Sequence, residues 1–218
     1  MSSVDFGRPG PWRKLFAQAL VLMDDLEQRA PGAIWTFGGG TVLMLRIAHR
    51  MSKDIDLFVP DPQYLGWVNP RLSELAESVS SDYEEAAEFI KLFLEEGEID
   101  IVVGEPLTDN PWEAADLGGR SVKVETSAEI IAKKMWHRGD RAKSRDLYDL
   151  CAVADAEPAA IRRAGPFFKR HGAAFLSGLE ARADVARIEF LEIDAIGRQS
   201  HFDACLQQAR HLINPWIS

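Results

Sequence analysis

Apolar residues recur at Leu15, Ala19, Leu22 and Leu26, the spacing of one helix face; Pro11 suits the helix start, and Pro31-Gly32 closes it. The ten residues ahead, with Gly7, Pro9 and Gly10, read as a loose lead-in. Ile34, Trp35, Thr36 and Phe37 form a short apolar strand, a glycine turn follows, and a short helix is predicted over 42–48. Ile55, Leu57 and Val59 then alternate with Asp54, Asp56 and Phe58, so a strand buries one face and carries two carboxylates on the other. Pro60, Pro62, Gly66 and Pro70 mark a loop holding Trp67, before a helix over 72–79. Residues 88–95 read as a strand, Glu96-Gly97 as a turn, and 99–103 as the returning arm of a hairpin, on which Asp100 alternates against Ile99, Ile101 and Val103. Gly104, Pro106, Asn110-Pro111 and Gly118-Gly119 make 104–120 look like loop, and 121–125 alternates as a short strand. Thr126-Ser127-Ala128-Glu129 has the form of a capping box, and everything after it reads as helical, punctuated at Pro158, Pro166 and Gly172. The pattern predicts an α+β chain: a small mixed β-sheet domain over 1–125, then an α-helical domain over 126–218 that completes a cleft.

With 218 residues, 46% hydrophobic and 27% charged, the chain is long enough to bury a sizeable core. Its net charge of −9 argues against a broad non-specific nucleic-acid surface, which would be basic. Cys151 and Cys205 have no metal-ligand spacing and sit in apolar, helix-like surroundings, as buried thiols of a reducing compartment do. No apolar run reaches membrane-spanning length and no signal-peptide core is seen, so the expected location is cytoplasmic.

The chemistry concentrates at Gly38-Gly39-Gly40-Thr41 and at Asp54-Ile55-Asp56. Two same-face carboxylates repel unless a cation lies between them, and hard divalent ions such as Mg²⁺ take one or two carboxylates plus substrate phosphates. Glycines let main-chain N–H groups close around an anion, and a helix start near Thr41 adds its positive end. Metal on one side and triphosphate on the other suit phosphoryl or nucleotidyl transfer. Asp100 is either an outward residue of a half-exposed sheet or a third acid of that site.

A second constellation lies at 129–150. Ile130, Ile131 and Met135 mark a buried stripe; Lys134 stands at its edge and points inward, whereas Lys133 is expected to face solvent. Arg138, Arg141, Lys143 and Arg145 follow as a basic run. Asp146 and Asp149 flank the stripe made by Leu147, Leu150, Cys151 and Ala154. They are surface ion-pair partners, or one of them orients Lys134 or an arginine against a nucleotide.

Gly-Gly-Thr, a short helix and Asp-x-Asp on a strand resemble the nucleotidyltransferase superfamily of DNA polymerase beta type. The fuller string, Gly39-Gly40-Thr41-Val42-Leu43 and then His49-Arg50-Met51-Ser52-Lys53-Asp54-Ile55-Asp56-Leu57-Phe58, is similar to the AbiEii/AbiGii-type nucleotidyltransferase toxins, as is Ala132-Lys133-Lys134 through Arg145-Asp146-Leu147-Tyr148-Asp149-Leu150. The likeness spans about residues 34–155 and fades after Pro158; Thr41 stands where many superfamily members have serine. The resemblance implies NMP transfer from an NTP to an acceptor hydroxyl, with an RNA such as tRNA as acceptor and an antitoxin encoded nearby. It makes Asp54, Asp56 and Asp100 ligands of two Mg²⁺ ions, with Mn²⁺ as a substitute, and Asp100 the group that activates the hydroxyl. Lys134 and Asp149 join the catalytic set; Gly39, Gly40, Thr41, Ser52, Lys134, Arg145 and Asp146 line the nucleotide. Two alternatives stay open: a degenerate module that binds nucleotide or a partner without turnover, and an antibiotic-type enzyme acting on a small molecule.

Overall fold

The computed structural model describes residues 2–197 and 199–217. Helix α1 (Trp12–Arg29) begins just after Pro11 and buries Leu15, Phe16, Ala19, Leu22, Met23 and Leu26, one continuous face. The chain then forms β1 (Thr36–Gly38), α2 (Gly39–Ile47) and β2 (Ile55–Val59), a 3₁₀ turn (Pro62–Trp67) and α3 (Glu74–Val79). Strands β3 (Tyr83–Ala86), β4 (Phe89–Leu94), β5 (Gly97–Val103), β6 (Trp112–Leu117) and β7 (Arg120–Glu125) complete the β content. Helices follow: α4 (Ser127–Arg138), α5 (Ser144–Ala156), α6 (Pro158–Ala164), α7 (Gly172–Ala181), α8 (Ala183–Leu191) and α9 (Phe202–Ile217). The expected order, a mixed sheet and then helices, is what the chain builds.

The seven strands form one sheet in the order β3-β4-β5-β2-β1-β7-β6. β2 runs parallel to β5 and β1 parallel to β7, while the remaining neighbours are antiparallel. The period-two pattern assigns the faces. Ile55, Leu57, Val59, Ile99 and Ile101 are fully buried on the side that receives α1, where Phe16 stacks on Phe37 with ring centroids 4.3 Å apart. Asp56, Phe58, Asp100 and Val102 point to the other side, and the register aligns them across strands. The buried apolar residues form one contiguous cluster from Trp12 to Ile213, so sheet and helices share a core. Among the described residues no helix is long and apolar enough to cross a membrane.

Several expectations shift. The region expected to be loop, 104–120, contains β6, paired with β7 through Trp112↔Glu125 to Leu117↔Arg120. Gly118 and Gly119 have φ of +61° and +93°, as a tight hairpin joining these strands requires. β3 adds a largely exposed edge strand that its acidic composition conceals. α2 starts at Gly39, ahead of the expected 42. The capping box forms only in part: Thr126 Oγ1 accepts from Glu129 N at 3.2 Å, but the Glu129 carboxylate turns to Leu107 N and to Thr108 N and Oγ1, at 2.7–2.9 Å. The helix start thereby fastens the 104–111 loop rather than its own first turn.

Candidate active site

The outward face of the sheet presents a lateral row. Lys91 lies opposite Asp100, Asp100 beside Asp56, and Asp56 opposite Gly38, each a register pair on adjacent strands. This row, with Gly39, borders a cleft of about 460 Å³ whose far wall carries Lys133, Lys134 and Arg138 of α4. Gly39 has φ +71°, and a β-carbon there would collide with the Asp56 carboxylate, so only glycine brings the start of α2 this close to the acid. Burial raises the Asp56 carboxyl above its usual range, against the pull of Arg138 and Lys134 and with the push of Asp54. Burial, reinforced by Asp56, raises Asp100 to about 6 despite Lys91 at 3.4 Å. These two acids are short of positive charge.

Asp54 departs from the expected arrangement. It precedes β2, its Oδ1 accepts from Glu98 N at 3.2 Å, and it does not border the cleft. Its charge still reaches Asp56. Among the described residues no three His, Cys, Asp or Glu side chains group closely enough to hold a metal alone. The donor chemistry at Asp56 and Asp100 nonetheless fits a hard cation. Both offer oxygens only, both are pushed toward protonation by burial and by a neighbouring acid, and Mg²⁺ commonly uses two carboxylates completed by substrate phosphates and water rather than a protein cage.

Opposite the sheet stands a buried ionic network. Lys134 Nζ pairs with Asp146 Oδ1 at 2.6 Å and Asp149 Oδ2 at 2.8 Å. Arg138 Nη2 reaches Asp146 at 2.8 Å. Asp149, with no exposed side-chain surface, also takes Arg50 Nε at 2.6 Å and Nη2 at 2.9 Å and His49 Nε2 at 2.7 Å. Burial alone would raise Asp149, but Arg50, Lys134 and His49 outweigh it and hold it well below the usual carboxylate range. At Asp146 burial is likewise overcome, by Lys134 and Arg138. Both aspartates therefore orient Lys134, and neither borders the cleft. Asp149, expected in the catalytic set, and Asp146, expected on the nucleotide, lie behind the lysine and pair with it, away from the cleft.

Other sequence readings need correction. Thr41 is fully buried; its hydroxyl donates to Asp54 O at 2.6 Å and lies 3.1 Å from Ser52 Oγ, from which it can accept. It ties α2 to the start of β2 and is turned away from the cleft, so it does not reach for a phosphate; Ser52 is its partner in this. Gly40 packs against the Arg50 guanidinium, which leaves Gly39 as the residue of the expected cradle that borders the cleft. Lys133 is not solvent-facing: it is 6% exposed, pairs with Glu125 at 2.6 Å and Glu129 at 3.6 Å, and sits 3.9 Å over the Phe58 ring centre. Arg145 is exposed and opens onto a separate hollow of about 610 Å³, also bordered by Arg50 and Arg182. Arg141 and Lys143 border both that hollow and the cleft. Sequence reasoning missed Lys91, Arg138 as a wall residue, and the His49–Arg50 clamp; the string His49-Arg50-Met51-Ser52 offered a signal, but its partner lies a hundred residues downstream.

The profile of the AbiEii family, described as the nucleotidyl transferase AbiEii toxin of type IV toxin–antitoxin systems, matches residues 21–215. No curated protein matches the chain. Solved structures similar to it include an H. pylori protein assigned as a nucleotidyltransferase, 13% identical, covering 93% of this chain and 94% of that one with a TM-score of 0.49. The antibiotic-resistance factor ANT(2'')-Ia is 16% identical, covering 79% of this chain and 97% of that one with a TM-score of 0.48. With most of its length matched by the profile, the chain belongs to the AbiEii nucleotidyltransferase toxin family.

Proposed function

We propose that this member of the AbiEii family transfers NMP from an NTP to an acceptor hydroxyl, in the cleft between the Asp56–Asp100 row and α4. The observation that carries the reading is that row: two in-register carboxylates, both raised above their usual range, facing the lysine and arginine of α4 across a cleft. Asp56 and Asp100 would hold Mg²⁺ or Mn²⁺, with Asp54, two residues before Asp56 and outside the cleft, contributing its charge from behind. When bound, such ions neutralise charge on the transferring phosphoryl group and its leaving oxygen. The chain's own residues do the rest. Gly39 and the positive end of α2 face the phosphates beside Asp56. Lys134, locked by two aspartates, and Arg138, held by Asp146, present fixed positive charge from the opposite wall. Asp100, beside Asp56 in the row and on the cleft, takes the proton of the acceptor hydroxyl.

The proposed acceptor is an RNA. Support comes from Arg141 and Lys143 on the shared rim of cleft and hollow, with Arg145 beyond them, a local concentration of cations in a chain of net charge −9. Burial and the crowding of Arg138, Arg145 and Arg141 lower Lys143, against the pull of Asp146. The family's type IV toxin–antitoxin setting supports an antitoxin partner and a cytoplasmic site of action. The test uses Asp56→Asn. Label transfer from an α-phosphate-labelled NTP to total RNA should fall to background, with far-UV circular dichroism unchanged. Transfer that persists in this variant rejects the reading.

A further inference from the structure

A second, smaller cavity of about 220 Å³ adjoins the cleft and shares Phe58, Gly104, Glu125 and Lys133 with it. Its walls are flat and apolar: the Phe58 ring, Trp112, Pro60, Pro106 and Pro111. Trp112 lies opposite Glu125 in the β6–β7 register and remains 37% exposed at the mouth. Glu125 is 1% exposed; its Oε1 is shared by Lys133 at 2.6 Å and Thr36 Oγ1 at 2.9 Å, while its Oε2 lies against Gly38 with no hydrogen-bond partner. A buried carboxylate oxygen without a partner is costly unless something else satisfies it.

We propose that this slot seats the nucleobase of the incoming NTP, and that it selects bases carrying an exocyclic amine. The inference rests on the proposed transfer reaction and adds base recognition to it. The register supplies the geometry. Gly38, Asp56 and Asp100 form one row across the sheet, and Thr36, Phe58 and Val102 form the next, two residues along each strand or roughly 7 Å away. With triphosphate on the acid row, the ribose spans that step and the base arrives over Phe58. The cavity lies below the 300–1,000 Å³ usual for whole drug-sized ligands, so it takes one ring system and not a nucleotide. One face of Phe58 is already covered by the Lys133 ammonium at 3.9 Å, so Trp112 supplies the stacking face, which every base can use. Discrimination then falls to Glu125. Burial raises the Glu125 carboxyl above its usual range against the pull of Lys133, but Lys133 Nζ at 2.6 Å and Thr36 Oγ1 at 2.9 Å both donate to it, so it serves as an acceptor: it accepts from the amine of cytosine or adenine and meets a repelling carbonyl at the same position in uracil or hypoxanthine.

The test measures equilibrium binding in Mg²⁺, without acceptor, of CTP, UTP, ATP, ITP and inorganic triphosphate. The expected result is that CTP and ATP bind about tenfold or more tightly than UTP and ITP respectively, and more tightly than triphosphate. Trp112→Ala, at an exposed edge-strand position, should weaken nucleotide binding about five- to a hundredfold by loss of stacking and leave triphosphate binding unchanged. Glu125→Gln should narrow the CTP-to-UTP ratio; should it not fold, the Trp112→Ala result still decides. Nucleotides that bind no better than triphosphate, or a Trp112→Ala variant with unaltered nucleotide affinity, overturn the slot while leaving the transfer reading intact. UTP bound as well as CTP, or ITP as well as ATP, overturns the role of Glu125. Failure of triphosphate and nucleotides alike rejects both readings at once.

Discussion

Replacing Asp100 by Asn should stabilise the metal-free protein while removing its activity. Asp100 rises from an ordinary 3.8 to about 6, and its side chain is only 21% exposed. Because the folded-state value is raised, the group's contribution to stability is full below the unfolded value and is lost as pH rises through 6. At neutral pH the shift of about two units, at about 1.4 kcal/mol each, withholds up to about 3 kcal/mol. Asparagine keeps the shape and removes the charge. Lys91 then loses a partner at 3.4 Å but retains Glu98 at 2.6 Å, so that side of the exchange costs about 1 kcal/mol or less. The net gain is about 1–3 kcal/mol, which for a chain of this size raises Tm by roughly 2–12 °C. Thermal and urea unfolding in EDTA, followed by circular dichroism across the acidic to neutral range, would measure it. The difference between wild type and Asp100→Asn should be smallest at the acid end and grow toward neutral pH. A variant less stable than wild type at neutral pH, or a difference that does not vary with pH, refutes the assignment of Asp100 as a charge held there at the expense of the fold.

Two further outcomes follow from the opposite wall and from the rim. Asp149→Ala leaves Arg50 and Lys134 buried without their shared carboxylate, and should cost about 3–5 kcal/mol in urea unfolding, the usual penalty for breaking a buried pair; because the folded-state value of Asp149 is depressed, wild type itself should lose this contribution only as pH falls below the ordinary carboxylate range. Arg145→Ala should leave NTP binding untouched, weaken binding of an RNA acceptor, and lower the slope of log K against log salt by about one unit if it meets a phosphate.

Much of the site was legible because strands repeat every two residues. The alternation of Ile55, Leu57 and Val59 fixed the face of Asp56, and that of Ile99 and Ile101 fixed the face of Asp100. The pairing of those strands was not legible: nothing local says that β5 lies beside β2, or that Lys91 of β4 faces Asp100. Lys133 was misread because a helix was assumed to have one buried side. α4 lies against the sheet and beneath the later helices, so Lys133 and Lys134 are both buried, each with its own acids. Thr41 was misread for the opposite reason. Its hydroxyl had a nearer customer in Asp54 O, which only the close approach of α2 to the start of β2 reveals. β6 escaped notice because Trp112, Ala114 and Asp116 are exposed, and its other face, Glu113, Ala115 and Leu117, is only half-buried, so the strand carries little apolar signal.

The electrostatics of the two walls bear on the proposed cation. Lys134 and Arg138 face the acids, and their charge does lower Asp56. That charge is already committed: Asp146 accepts from both, and Asp149 accepts from Lys134, Arg50 and His49. Lys91 divides itself between Asp100 and Glu98. Burial consequently wins at Asp56 and Asp100, and both remain raised although cations surround them. By holding the lysine, the two buried aspartates leave the acid row short of positive charge, and that shortfall is the ground for proposing a divalent ion there.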